Sequence, residues 1–270
     1  MIPSSLIETQ TPPPALLDFR NVSVARGLQT VLHSITLRVD PGEHVAILGP
    51  NGCGKSTLIK TVTRECYPLD TPGSSLTILG RQRWNVFDLR NLLGIVSNDL
   101  MSSCTRDITA MDVILSGFFS SIGLQPYHLV TPAMRAQSFE VLQTLEVPHL
   151  AERSMTEMSS GEARRVLIGR ALVHHPRALL FDEPSNSLDL HAAQELRVLL
   201  RKLAARGAAI LLVTHHLSDV IPEIDRVILM RHGRIFADGL KSELFTRDLL
   251  TELFGIRVDM AHRDGYYHLW

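Results

Sequence analysis

Residues 49–56 read Gly-Pro-Asn-Gly-Cys-Gly-Lys-Ser, and this stretch matches the pattern GxxxxGK[ST] at every fixed position. The apolar segment Val45–Leu48 before it indicates a short buried strand, and a helical segment from Ser56 to about Arg64 follows it. A glycine-rich loop between a strand and a helix turns backbone N–H groups towards an anion, and the helix dipole adds to the attraction. We therefore predict a phosphate site in which Lys55 reaches the β- and γ-phosphates and the Ser56 hydroxyl binds Mg²⁺.

The residues predicted to bind the nucleotide here form one continuous segment: Gly49, Pro50, Asn51, Gly52, Cys53, Gly54, Lys55, Ser56 and Thr57. Lysine is scarce in this chain, so a lysine at the required position strengthens the match. Cys53 occupies a variable position of the pattern. A thiol at a helix N-terminus can be a modifiable group, but we interpret this one as filler.

A second apolar segment, Ala178–Phe181, predicts another buried strand and runs into the carboxylates Asp182 and Glu183. The carboxyl ends of parallel strands meet at one edge of a sheet, so both carboxylates are expected beside the phosphate loop. We predict that Asp182 holds Mg²⁺ through water and that Glu183 polarises the water that attacks the γ-phosphate. Taken alone, the pair is equally compatible with the polar start of a loop before Pro184, and the phosphate loop upstream favours the catalytic interpretation.

The order of the predicted elements indicates an α/β fold. Strand character at Leu16–Val24 and Ile35–Val39 predicts an N-terminal antiparallel β-region. Residues 107–147 carry helical periodicity and no strong strand pattern. From Gly161 strands and helices alternate, which indicates a parallel sheet covered on both faces. The helical middle, about residues 100–160, is therefore predicted to be inserted into the sheet domain.

Local periodicity gives two further helix predictions. The segment Met134–Val147 is predicted to be helical, with Phe139, Leu142 and Leu145 on one side. The C-terminal stretch 240–270 has the pattern of an amphipathic helix.

Composition excludes several classes of protein. The 27 Lys and Arg residues balance 28 Asp and Glu residues, and this charge of −1 argues against a dedicated nucleic-acid binder. The longest uncharged segment, Val113–Met134, is interrupted by glycines and prolines, so we expect no membrane span. Residues 1–15 lack the charged and apolar regions of a secretory signal and are predicted to be a disordered lead-in. The three cysteines form no CxxC pair, which argues against a disulfide framework or a zinc site.

With these two motifs in place, the sequence resembles the ATP-binding cassette (ABC) ATPases from about Leu16 to Phe236. The family's signature segment is similar to Met158-Ser-Ser-Gly-Glu162, its D-loop to Ser187-Leu-Asp189, and its switch histidine to His215. The resemblance implies a P-loop NTPase fold with a RecA-like parallel sheet, and it implies ATP and Mg²⁺ as cofactors. It also implies a head-to-tail dimer with two ATP molecules sandwiched between the chains.

In such a dimer the signature segment completes the site of the second copy. The resemblance therefore adds these residues to the nucleotide contacts: Ser159, Ser160, Gly161, Glu162 and Asp189. A helix N-terminus with a serine hydroxyl is a suitable anion site. In isolation the same residues favour an ordinary Ser N-cap with a capping box, and the other motifs favour the anion site. Lys55, Glu183 and His215 are the predicted catalytic residues, with His215 bonding the γ-phosphate and positioning the attacking water.

Three positions depart from the family pattern. Arg26 stands where an aromatic residue usually stacks on the adenine, and a guanidinium plane can also stack on a base. Asn98 or Ser97 replaces the glutamine that contacts the metal; Asn98 keeps the amide but is one methylene shorter. Ser160 replaces the first glycine of the signature and places a side chain next to the phosphate of the facing chain.

The resemblance implies a domain over residues 16–239 followed by a tail over 240–270, which is similar to the tails of import ATPases for metal chelates and to molybdate-related cassettes. The first functional hypothesis is a transporter subunit, with its docking surface in residues 100–160 and separate membrane permease subunits. It implies a cytoplasmic protein held peripherally at the cytoplasmic face of the inner membrane. The alternatives are a soluble ATPase of a cytosolic assembly complex, which the Asn98 departure favours, and a nucleotide-gated scaffold, which Glu183 and His215 argue against.

Overall fold

The computed structural model describes residues 14–270, so residues 1–13 of the predicted lead-in lie outside it. Ala15, the last residue of that lead-in, is already buried. The described helices are α1 Lys55–Val62, α2 Val86–Leu92, α3 Asn98–Cys104, α4 Ala110–Ser116, α5 Pro132–Thr144, α6 Ser160–Leu172, α7 Leu190–Ala204, α8 Lys241–Leu244 and α9 Arg247–Phe254. The described strands are β1 Leu17–Arg26, β2 Gln29–Val39, β3 Val45–Leu48, β4 Ser75–Ile78, β5 Leu93–Ser97, β6 Ala178–Asp182, β7 Ala209–Thr214, β8 Arg226–Arg231, β9 Arg234–Leu240, β10 Met260–Arg263 and β11 Tyr266–Leu269.

Two sheets confirm the predicted α/β architecture. The N-terminal sheet is antiparallel, in the order β2-β1-β4. The central sheet has the order β5-β6-β7-β3-β8-β9 and is parallel except for β9, which pairs antiparallel with β8. The parallel strands therefore end at one edge, and β7 lies between the strand of the phosphate loop and the acidic strand β6.

The inner strands β3, β6 and β7 of the central sheet are almost entirely apolar because both of their faces are covered. All four residues of β3 are buried, and so are the first four of β6. Ala46 and Leu48 pack with the cluster that contains α4, α6 and α7, whereas Val45 and Ile47 pack with α1 and the N-terminal sheet. This division of alternate residues between two cores fixes the register of β3, so the glycine loop must emerge at the carboxyl edge.

The helices α3, α4 and α5 lie between β5 and α6, in the stretch where an insertion was predicted. The predicted helix at Met134–Val147 is α5, which begins two residues earlier. Leu142 and Leu145 are fully buried, whereas Phe139 is 41% exposed, so the three side chains predicted on one side differ in burial. Among residues 14–270, no helix combines the length and apolarity needed to cross a membrane.

The C-terminal stretch 240–270 is more elaborate than the single amphipathic helix predicted. After α8 and α9 the chain forms a hairpin of β10 and β11. Phe245, Leu250, Leu253 and Val258 are buried in the same apolar cluster as α6 and α7. This segment is therefore packed onto the sheet domain, and its separation as a tail at residue 240 stays a prediction.

Candidate functional site

The phosphate loop is held open by its glycines. Gly52 and Gly54 adopt φ values of 78° and 106°, where a side chain is disfavoured. A Cβ on Gly49 would lie 2.2 Å from the carbonyl oxygen of Met230, so the loop packs against β8. Gly54 is the N-cap of α1 and supplies no side-chain cap, which leaves the first N–H groups of the helix free for an anion.

The side chains of Cys53, Lys55 and Ser56 differ in burial. Lys55 is buried, and its Nζ donates to the carbonyl oxygens of Gly49 at 2.8 Å and Pro50 at 3.3 Å. Burial raises the pKa of the Cys53 thiol, which supports its interpretation as a packed, unreactive residue. Ser56 is exposed at the start of α1 and lines the cleft beside the loop.

Asp182 at the end of β6 is an unsatisfied carboxylate. Its Oδ1 is buried and has no hydrogen-bond partner within the described part of the chain. Burial, with the charge of Glu183 beside it, raises the pKa of Asp182 from 3.8 to about 6. A buried carboxylate oxygen without a partner, at the same sheet edge as the exposed Ser56 hydroxyl, fits a hard cation that prefers oxygen ligands.

We expect that replacing Asp182 by asparagine stabilises the nucleotide-free protein while impairing hydrolysis. Because the folded state holds the Asp182 proton up to about pH 6, folding stability falls as the pH rises from about 4 to 6, and the penalty is complete above pH 6. The neutral amide of the variant carries no such penalty, so we expect a gain of about 1–3 kcal/mol at pH 7.5. Urea unfolding at several pH values measures this gain. An equal stability difference at pH 4 and pH 7.5 would contradict the argument.

The Glu183 carboxylate lies close to three polar side chains, those of Lys55, His215 and Asn186. Its Oε1 is 3.6 Å from Lys55 Nζ and 3.2 Å from His215 Nδ1, although the imidazole is turned away from a well-aligned hydrogen bond. Its Oε2 accepts a hydrogen bond of 2.5 Å from Asn186 Nδ2. Burial alone would raise the pKa of Glu183, but Asn186, His215 and Lys55 together lower it below the ordinary value. The carboxylate is therefore ionised and ready to accept a proton.

The backbone of Glu183 adopts φ of 49°, a conformation that non-glycine residues rarely occupy. Its N–H donates to the carbonyl oxygen of Val213 in β7, which anchors the residue across the sheet. A strained backbone of this kind persists only where surrounding contacts hold it, and it concentrates at functional sites.

His215 is positioned by a buried carboxylate that the sequence did not point to. Asp219 is buried and accepts hydrogen bonds from Thr214 Oγ1 at 2.7 Å and Ser185 Oγ at 2.6 Å. Thr214 Oγ1 in turn accepts from the His216 N–H. This network ties the turn after β7 to the turn after β6, and thus holds His215 close to Glu183.

Ser97 and Asn98, the two candidates for the position of the family's glutamine, both form hydrogen bonds within the chain. Ser97 Oγ caps α3 by accepting from the Leu100 N–H at 3.2 Å. Asn98 Nδ2 donates to the Glu183 carbonyl oxygen at 3.5 Å, and its Oδ1 accepts from Arg164 Nη2 at 3.0 Å. The structure thus brings Asn98 to the acidic strand end, and a metal contact by either residue stays a prediction.

The signature segment begins α6, as the sequence indicated. Ser159 is the N-cap, and it forms a capping box with Glu162 in which each side chain bonds the other's backbone N–H. Close packing against α7 favours glycine at position 161, because a Cβ there would lie 3.1 Å from Cβ of Ala192. Asp189 caps α7 through the Ala192 N–H at 2.8 Å.

A cleft of about 450 Å³ collects most of the predicted phosphate-binding residues. It is lined by Arg26, Val31, Asn51, Gly52, Gly54, Lys55, Ser56, Thr57 and Glu183. Arg26 is exposed at the end of β1 and lines the same cleft, and its stacking on a base stays a prediction. The residues of the signature segment and Asp189 are not part of this cleft.

The comparisons with known proteins agree with this geometry. Residues 32–186 match the family model described as ABC transporter. The chain is 35% identical over 252 residues to the hemin import ATP-binding protein HmuV of Hahella chejuensis, a match that covers 87% of this chain and 91% of that protein.

Two solved structures share the fold. A putative metal-chelate type ABC transporter in an inward-facing conformation matches with a TM-score of 0.77 and 22% identity, covering 95% of this chain and 96% of that chain. A dimeric ATP-binding cassette with bound ADP and phosphate matches with a TM-score of 0.67 and 24% identity, covering 83% of this chain and 98% of that chain. From the family match, the curated relative and the shared fold, we conclude that the chain belongs to the ABC transporter family of ATP-binding proteins and is an ATPase.

Proposed function

We propose that this ATPase is the ATP-binding subunit of an importer, that two copies close head-to-tail around two ATP molecules, and that their motion drives substrate through separate membrane subunits. The observation that carries the proposal is an incomplete site. The cleft at the phosphate loop gathers Lys55, Ser56 and Glu183, while Ser159 and Ser160 are exposed outside it. A second copy can supply that signature segment, and the dimeric cassette of the same fold supports this arrangement.

The hydrolytic step converts ATP and water to ADP and phosphate. Lys55 leaves its loop carbonyl partners and neutralises charge on the phosphates, while the N–H groups at the start of α1 bind their oxygens. Glu183 takes the proton of the attacking water, and His215 bonds the γ-phosphate. Ser56 and Asp182 would hold Mg²⁺, which when bound neutralises the charge that develops on the phosphate oxygens.

A groove supports the membrane partnership. It has a volume of about 360 Å³ and lies between the central sheet and the inserted helices. Arg90 from α2, Ser103 from α3 and Ile122 after α4 all line it. We propose that a cytoplasmic segment of a membrane subunit docks here, so that the protein is held at the cytoplasmic face of the membrane.

The hemin import relative supports import as the direction of transport and a metal chelate as the substrate class. The rival hypothesis of a cytosolic assembly complex finds no support among these relatives, whose names are those of transport proteins.

Co-purification tests the proposal. The tagged chain, expressed in its own cells and extracted from membranes in mild detergent, is expected to retain integral membrane subunits. Arg90→Glu, which reverses a charge in the groove and outside the cleft at the phosphate loop, is expected to release them while isolated ATPase activity persists. Arg206→Glu, an exposed change near the end of α7, serves as the matched control and is expected to retain them. Recovery of the wild-type chain with soluble proteins alone would overturn the proposal.

A further inference from the structure

Arg164 is a buried cation without a carboxylate partner. It lies on α6, is only 3% exposed, and forms no ion pair with any acidic residue of the described chain. Its Nε and Nη1 are buried and have no hydrogen-bond partner among residues 14–270. Burial lowers the pKa of Arg164, with no compensating charge beside it. A buried charge of this kind is costly to folding, so its presence calls for an explanation in function.

The third guanidinium nitrogen of Arg164, Nη2, does form hydrogen bonds, and its partners lie beside Glu183. Nη2 donates to Asn98 Oδ1 at 3.0 Å and to the Asn186 carbonyl oxygen at 3.3 Å. Both partners also bond to Glu183: Asn98 through Nδ2 to its carbonyl oxygen, and Asn186 through Nδ2 to its carboxylate. Arg164 therefore closes a ring of hydrogen bonds around the residue that activates water.

The same helix begins with the signature segment. Ser159 caps α6, and Arg164 lies little more than one turn further along it. A displacement of α6 at its N-terminus therefore moves Arg164, and with it the two amide groups that hold Glu183. We propose that Arg164 is a positioning residue that links the signature segment of a chain to the Glu183 of the same chain.

What this link does for hydrolysis rests on the proposed head-to-tail dimer. In that dimer the signature segment contacts the nucleotide of the facing chain, while Glu183 acts on the nucleotide of its own chain. Arg164 thus connects the two ATP sites, and closure at one site orients the carboxylate at the other. Asn98 adds a second connection. It is the first residue of α3, so the ring of hydrogen bonds also links Glu183 to the inserted helices.

Steady-state ATP hydrolysis by the full-length protein tests the inference. Arg164→Met keeps the length of the side chain and removes its donors. We expect kcat to fall about tenfold or more, the half-saturating ATP concentration to change less than threefold, and the Hill coefficient to fall towards one. Arg164→Lys keeps a positive charge and N–H donors but loses the planar, forked guanidinium. Its kcat is expected to lie between those of the wild type and Arg164→Met.

The control is the neighbouring Arg165→Gln, whose guanidinium contacts the Leu145 carbonyl oxygen and Glu195 and takes no part in the ring around Glu183. It is expected to retain wild-type kcat and cooperativity. A merely structural role for Arg164 would appear as a large loss of thermal stability, whereas we expect Arg164→Met to unfold within a few degrees of wild type, because the methionine also removes a buried charge. An unchanged kcat in Arg164→Met, or a fall in kcat that follows a loss of folded protein, would overturn the inference.

A double-mutant cycle with Asn98→Ala separates the ring from independent contributions. If Arg164 acts through Asn98, the double variant is expected to be about as slow as the slower single variant. Multiplicative losses would contradict this. In the Glu183→Gln background, ATP-driven dimerisation distinguishes the two proposals. If the Glu183→Gln protein without a change at Arg164 fails to dimerise with ATP, the ATP-sandwich model fails. If the Glu183→Gln protein dimerises but the Arg164→Met protein hydrolyses ATP with the wild-type kcat, only the positioning role of Arg164 fails.

Discussion

Replacing Lys55 by alanine is expected to abolish ATP binding and to reduce hydrolysis at least about 100-fold. The Nζ of Lys55 is the buried ammonium at the phosphate loop, and it lies 3.6 Å from the Glu183 carboxylate. Alanine removes the charge that neutralises the β- and γ-phosphates and leaves the Gly49 and Pro50 carbonyl oxygens without their donor. Fluorescent nucleotide binding and phosphate release measure the two effects.

Lys202→Ala is the matched control for this loss. Lys202 lies on the exposed surface of α7, paired with Glu146, and takes no part in the cleft. It is expected to bind ATP as the wild type does. Full nucleotide affinity in Lys55→Ala would show that the loop does not bind phosphate as assigned.

Replacing Glu183 by glutamine is expected to slow hydrolysis about 10²–10⁴-fold while ATP stays bound. The amide cannot accept the proton of the attacking water. It preserves the size of the side chain, so one oxygen can still accept the hydrogen bond from Asn186. It also removes a negative charge beside the γ-phosphate site. With ATP the variant is therefore expected to accumulate as a dimer on size-exclusion chromatography.

Glu146→Gln serves as the control for Glu183→Gln, because Glu146 is an exposed carboxylate far from the cleft. It is expected to hydrolyse ATP normally and to show no trapped dimer. A strictly monomeric Glu183→Gln protein at saturating ATP would count against the ATP-sandwich model. Normal hydrolysis by the same variant would remove Glu183 from its proposed role.

Much of the candidate site was predictable because its chemistry is local in the sequence. The phosphate loop, the acidic strand end and the turn after β7 each carry their residues within a few positions of a strand terminus. Once the strands are parallel, their carboxyl ends converge, and Lys55, Glu183 and His215 do lie together. Of the residues that hold these groups, Asp219 and Arg164 were not predictable, because each acts through a contact with an element distant in the sequence. Asn186 alone had a local signal, since it follows Glu183 by three residues.

The sequence by itself determined the alternation of strands and helices from Gly161, the phosphate loop and the family resemblance. It did so because buried parallel strands require continuous apolar segments, and because an anion-binding turn requires glycines at fixed positions. The tertiary structure decided what local periodicity leaves open. Phe139 shares a helix with Leu142 but points to solvent, and the C-terminal stretch ends in a hairpin packed on the sheet domain. It also decided that Arg164 is buried beside the acidic strand end, because only the packing of α6 against β5 and α7 brings that guanidinium to Asn98.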